Sequence, residues 1–282
     1  GLKIALEENI TLEATAFLCD NTHNLKIDIP NVNAYILRND VAEGIEEGKV
    51  RDIAIISKVG LPVCFKVLKI DQSTKIPTVY LSRKKAQMEC RENFINRLKI
   101  GDVVSGKITH IESFGAFVDL GCGIISFIGI ENISVSRINH PSDRFDTGQE
   151  IFGVVIEKTE EKITLSHKEL LGTWQENVDM IQPDTTMTGI VRSVEHYGIF
   201  IELFPNLSGL AEIKDDISVS DVVSVHIKSI NTEKMKIKLN IIKKVPTACR
   251  KSFNYFITSG RLKTFTYSPK TCSSRTISKD FY

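Results

Sequence analysis

No stretch of this 282-residue chain approaches the roughly 18–20 consecutive apolar residues that a membrane-spanning helix needs. Cysteine is sparse and scattered. The six lie at positions 19, 64, 90, 122, 249 and 272, and the absence of any C-x-x-C pair removes a zinc ribbon and a thioredoxin-like motif. A disulfide scaffold belongs to smaller, cysteine-denser secreted chains, so reduced thiols in a cytoplasm are the expectation. Gly (17) and Pro (8) are too few for a collagen-like or mucin-like chain, and a 42% hydrophobic fraction excludes disorder throughout. A surplus of one charge is missing too, with 36 basic against 35 acidic side chains. The first twenty residues lack the basic-then-apolar order of a signal peptide, and the chain opens on Gly1, which suggests a trimmed or processed start.

Catalytic signatures are equally absent. The six His have no metal-ligand spacing, and neither G-x-S-x-G nor H-E-x-x-H occurs. The run G-D-V-V-S-G-K-I at 101–108 stops on Ile108, where a phosphate loop needs a hydroxyl for Mg²⁺. No catalytic residue, metal, cofactor or small-molecule substrate is therefore expected.

What is present is a repeat. Residues 106–120, G-K-I-T-H-I-E-S-F-G-A-F-V-D-L, align without a gap with 189–203, G-I-V-R-S-V-E-H-Y-G-I-F-I-E-L. Farther on, E-E-K-I-T-L-S (160–166) pairs with K-M-K-I-K-L-N (234–240), so the later unit is shorter in its middle. A weaker third copy precedes both and ends in T-V-Y-L-S-R-K-K at 78–85. The chain then divides into units at 1–90, 98–171 and 181–244, with an extension at 245–282.

Each unit reads as strands. Residues 223–228 alternate as V-S-V-H-I-K, which sets Val223, Val225 and Ile227 on one face. Tight connections are predicted at 231–233 and 121–123. Four or five short strands per unit, with turns every 8–12 residues, indicate small antiparallel barrels. Helices are predicted over 84–98 and in a linker after Ser166 towards Trp174.

Phe114 and Phe117 recur as Tyr197 and Phe200. Residues three apart on a regular strand face opposite ways, but Gly115 and Gly198 lie between and permit a bulge that returns both rings to one face. Such rings are either barrel core or an external platform, on which each stacked base contributes about 1–3 kcal/mol. Recurrence of the pattern beside ample Val, Ile and Leu favours the platform.

These runs resemble the S1 RNA-binding domain, an OB-type barrel repeated in the largest protein of the bacterial small ribosomal subunit. The second unit carries the resemblance in G-D-V-V-S-G-K-I-T-H-I-E-S-F-G-A-F-V-D-L-G, G-I-I-S-F-I-G-I-E-N-I-S, H-P-S-D-R-F-D-T-G-Q-E-I and I-T-L-S-H-K. The third unit matches with a shortened connection, and the first mainly at its end. The chain as a whole is similar to short three-repeat homologues in clostridia-like bacteria. The resemblance implies a mainly β chain: three tandem five-stranded antiparallel OB-type barrels, the first degenerate, with short linker helices and a basic, aromatic, hairpin-like tail. It also implies RNA contacts from Phe114, Phe117, Tyr197 and Phe200, with the family's basic position at Lys162 and Lys236; Lys168, and Lys238 on the lysine face of 234–238, are further expected contacts. The family's His position falls on Gly129 and Glu212, and its Asp position on Lys158 and Thr232, so those polar contacts differ; Lys158 itself suits a phosphate.

Charge is uneven along the chain. Residues 98–171 hold 7 basic and 11 acidic groups, 181–244 hold 8 and 8, and 245–282 hold 7 and 1. Seven of the 21 aromatics also fall in that tail, where 253–258 and 261–267 flank Ser259-Gly260 as a plausible hairpin. Arg250, Lys251, Arg261 and Lys263 there suit RNA, while the tail's aromatics equally suit packing on the third unit.

The expected function is single-stranded RNA (mRNA) binding without catalysis, in a cytoplasm, at the small ribosomal subunit, with the first unit as the docking element. Two alternatives remain open. Domains of this type are also appended to ribonucleases, polynucleotide phosphorylase and an isoprenoid-pathway reductase, and degenerate barrels serve as protein scaffolds.

Overall fold

The computed structural model describes residues 1–160, 162–246, 253–272 and 275–282. Period-two alternation in the sequence becomes three closed five-stranded barrels. In the first, β1 (Leu12–Cys19), β2 (Leu25–Ile27), β3 (Asn33–Ile36), β4 (Pro62–Asp71) and β5 (Thr78–Ser82) close in the order β1-β2-β3-β5-β4. The second uses β6 (Val103–Glu112), β7 (Gly115–Asp119), β8 (Ile125–Gly129), β9 (Glu150–Lys158) and β10 (Ile163–Ser166). The third uses β11 (Thr186–Glu195), β12 (Gly198–Phe204), β13 (Leu207–Ala211), β14 (Val222–Asn231) and β15 (Lys236–Lys244).

The expected antiparallel pairing holds with one exception per barrel. The closing pair, third strand with fifth, runs parallel in all three. The ladder between fourth and fifth strands also slips by one residue at the same place each time, between Val67 and Lys69, Val155 and Glu157, and Ile227 and Ser229. Such a slip bends the strand enough to help close a small barrel. The first barrel is thus as complete in topology as the others, although its sequence signature is weak.

The alternating apolar residues fill the interiors. Val223, Val225 and Ile227 are fully buried in the third barrel, as are Ala116, Val118 and Ile128 in the second and Leu25, Ile36 and Val79 in the first.

The predicted helix over 84–98 breaks. The helix Arg83–Asn93 starts where the Ser82 hydroxyl accepts from the Lys85 N–H, and a separate 3₁₀ turn follows at Ile95–Arg97. The linker after Ser166 is a 3₁₀ turn, Lys168–Leu171, then a short helix, Trp174–Val178, with a Thr173–Glu176 capping box.

The tail departs from the predicted hairpin. Thr264–Thr266 (β16) pairs with Ser278–Asp280 (β17), and 253–258 form no strand. The reason lies in their partners: the Phe256 N–H donates to Leu170 O, and Tyr255 bonds to His167 and Phe152. Leu262 and Phe281 pack against Val154 and Leu170, while Tyr267 enters the core of the third barrel. By contacts the chain falls into two compact units, one of 1–98 with 119–124, the other of 99–118 with 125–282. The third barrel, the described part of the tail and most of the second barrel thus fall in one of these units.

Candidate nucleic-acid interface

The outer face of the second barrel carries the aromatic groups. On β7, Ala116 and Val118 point inward, so Phe117 points out, and Phe114 stands at the strand's entrance with 57% of its surface exposed. Their rings meet edge to face at 6.4 Å. A third ring, Phe127 of β8, lies 5.8 Å from Phe114 and 5.4 Å from Phe117. His110 of β6 stacks on Phe117 at 6.1 Å. Sequence reasoning missed Phe127 and His110. The former had a signal, since it is the outward position of the alternating I-S-F-I-G.

The third barrel repeats the arrangement with substitutions. Tyr197, also 57% exposed, meets Phe200 edge to face at 6.0 Å, and His196 flanks it at 4.9 Å. Leu210 stands opposite Phe200 across the β12–β13 ladder, where the second barrel has Phe127.

Both ring pairs share a face, as expected, and Gly198 takes a φ of +154°. The ladder slip on β11 falls between Val191 and Ser193, not at Gly198. A Cβ on Gly115 would lie 2.4 Å from Ile128 O and from the Phe127 ring, and one on Gly198 would lie 2.7 Å from Ala211 O. Glycine is needed because the neighbouring strand passes too close for a side chain.

Charge is distributed unevenly around these rings. Lys162 pairs with Glu157 at 3.0 Å, and Thr164 donates to the same carboxylate at 2.8 Å. The Lys162 hydrogen bond leads in holding the Glu157 carboxyl below its usual range. Lys168 Nζ donates to Glu131 O at 2.9 Å, and Lys158 ends β9 opposite Ile163. In the third barrel Lys236 and Lys238 are exposed on β15, with Lys238 beside Leu210 across the parallel pair. Glu212 lies 3.5 Å from Lys228, which offsets part of its charge.

The tail's basic groups are placed less favourably for RNA. Arg261 grips Asp102 through two hydrogen bonds of 2.6 and 3.1 Å, and Lys263 is exposed. Arg250 and Lys251 lie outside the described residues.

A buried polar seam fixes the second and third barrels together. Glu202 bonds to Arg144 and to Arg192 Nε at 2.8 Å, and Asp143 approaches Arg192 at 3.6 Å. The Asn206 amide donates to Lys168 O at 2.7 Å and Gly172 O at 2.8 Å, and its oxygen accepts from the Val135 N–H at 3.0 Å.

Among the described residues no cluster of three or more His, Cys, Asp or Glu could hold a metal, and no helix is long and apolar enough to cross a membrane.

A family model described as the S1 RNA binding domain matches residues 97–168, the span of the second barrel and its three-ring cluster. The second barrel matches the S1 family. Most of the chain is similar to small ribosomal subunit protein bS1. It is 27% identical to that of Rhodopseudomonas palustris over 234 residues, 76% of this chain and 40% of the relative. Identity to bS1 of Staphylococcus haemolyticus is 30% over 207 residues, covering 66% of this chain and 52% of the relative. The bS1 homolog of Bacillus subtilis is 27% identical over 186 residues, covering 60% and 48%. The chain therefore spans about half or less of the length of these curated relatives. The S1 match lies on the second barrel, so the resemblance of the other two rests on topology, register and the wider similarity to bS1.

Proposed function

We propose that this chain is a non-catalytic binder of single-stranded RNA that holds mRNA at the small ribosomal subunit, in a bacterial cytoplasm. The cluster of Phe114, Phe117 and Phe127 on the outer face of an S1-type barrel, with Phe114 57% exposed and the other two rings half-buried, carries the reading. The Phe114 ring stands largely in water on an otherwise well-filled barrel, and every base offers such a ring a stacking face. In the third barrel Tyr197 and Phe200 supply the rings, while Lys236 and Lys238 supply charge for the backbone. Lys158, Lys162 and Lys168 border the second platform.

The ordinary test is fluorescence anisotropy with a short unstructured RNA and a duplex of equal length. Binding that prefers the single strand and weakens with salt supports the reading. Equal or stronger binding to the duplex, or none to either at low salt, overturns it. The ribosomal part is tested by co-sedimentation with small subunits in the presence and absence of mRNA.

A further inference from the structure

The first barrel lacks an aromatic pair on its second strand, yet its ladder places other groups at the same station. In the third barrel one row runs across the outer face from Phe200 to Leu210, Lys238 and Ser229. In the second the corresponding row is Phe117, Phe127, Thr164 and Glu157. The same register in the first barrel gives Lys26, Tyr35, Tyr80 and Lys69. The ladder slip that adjoins Ser229 and Glu157 adjoins Lys69 as well, so the correspondence does not depend on how the sequences are aligned.

The chemistry of this row suits a nucleic acid. Tyr35 and Tyr80 are direct neighbours on parallel strands, both half-exposed, so their rings rise from one patch. The Lys26 ammonium lies 5.5 Å from the Tyr35 ring centre, and Lys69 closes the other end of the row, exposed. The nearest acid along β4, Asp71, is engaged by the Ser73 N–H at 2.9 Å. Two stacking faces between two cations fit successive bases and their phosphates. The second barrel has Glu157 where the first has Lys69, so the first row is the more basic of the two. Residues 1–90 hold 12 basic and 12 acidic groups, against 7 and 11 for 98–171, so the wider field is also less hostile to phosphate.

We infer that the first barrel carries its own single-stranded RNA site, in which Tyr35 and Tyr80 stack bases and Lys26 and Lys69 hold the backbone. The aromatic pair has moved from the second strand to the third and fifth, which is why the F-G-x-F pattern does not reveal it. The inference rests on the reading of the other barrels as RNA platforms.

The test is ultraviolet crosslinking of the full chain to a short oligouridine, followed by mass spectrometry of the adducted peptides. Adducts at Tyr35 or Tyr80, in addition to those around Phe114 and Phe127, are expected. A Tyr35→Ala/Tyr80→Ala chain should keep its melting temperature and lose affinity by at least about fivefold, the lower end of one stacked base. Lys26→Glu/Lys69→Glu, which leaves the rings in place, should weaken binding in the same direction. Adducts confined to the second and third barrels overturn this inference and leave the RNA reading standing. Adducts nowhere in the chain overturn both.

Discussion

His167 and Tyr255, 88 residues apart in sequence, share a hydrogen bond of 2.9 Å that seats the tail against the second barrel. The Nδ1 of His167 lies 2.8 Å from Ile133 O, a group that only accepts, so Nδ1 carries the proton and Nε2 accepts from the Tyr255 hydroxyl. The Tyr255 oxygen in turn accepts from the Phe152 N–H at 3.3 Å. The His167 ring nitrogens and the Tyr255 hydroxyl all keep their partners only while the imidazole is neutral.

Acid should therefore loosen this seam. Burial, with the Arg144 charge adding to it, depresses the His167 pKa to about 4. Its unfolded value is about 6.5. Between those values the unfolded chain binds the proton that the folded chain refuses. The neutral imidazole's contribution is thus full above pH 6.5 and is lost as pH falls towards 4, by about 3 kcal/mol in all. Melting curves across that range should show the loss, and a His167→Gln chain should show a flatter profile.

The tail should behave as structure. Tyr267 is buried in the third barrel's core, and its hydroxyl donates to Asn206 O at 2.5 Å. Tyr267→Ala should cost about 3–5 kcal/mol by denaturant unfolding, in keeping with loss of a buried aromatic. A cost under about 1 kcal/mol would show that the tail does not close the core.

Glu202 joins two guanidinium groups in the seam between the second and third barrels. Glu202→Gln leaves Arg144 and Arg192 with Asp143, 3.6 Å from Arg192, as their remaining counter-charge in the seam, at about 3–5 kcal/mol. Pairing Glu202→Gln with Arg144→Met should recover part of that loss, which a double-mutant cycle would measure.

The fold was legible because period-two alternation repeats at fixed spacing, and residues such as Val223, Val225 and Ile227 have one face to bury. The parallel closing pair was not, since alternation carries no strand direction. Phe114, Phe117, Tyr197 and Phe200 were legible through their recurrence beside Gly115 and Gly198. Phe127 occurs in one copy only and becomes Leu210 in the next, so repetition could not mark it. The tail misled because basic and aromatic residues interleave there for two reasons at once: Arg261 meets Asp102, and Tyr255 and Tyr267 enter packed cores.

Phe114 and Tyr197, at 57% each, are more exposed than their half-buried partners Phe117 and Phe200, so their removal separates binding from folding most cleanly. The decisive measurement is the affinity of a Phe114→Ala/Tyr197→Ala chain for a short unstructured RNA, taken beside its melting curve. If each ring stacks a base, affinity falls about 5- to 150-fold per ring while the melting temperature holds. Unchanged affinity at an unchanged melting temperature would contradict the platform outright.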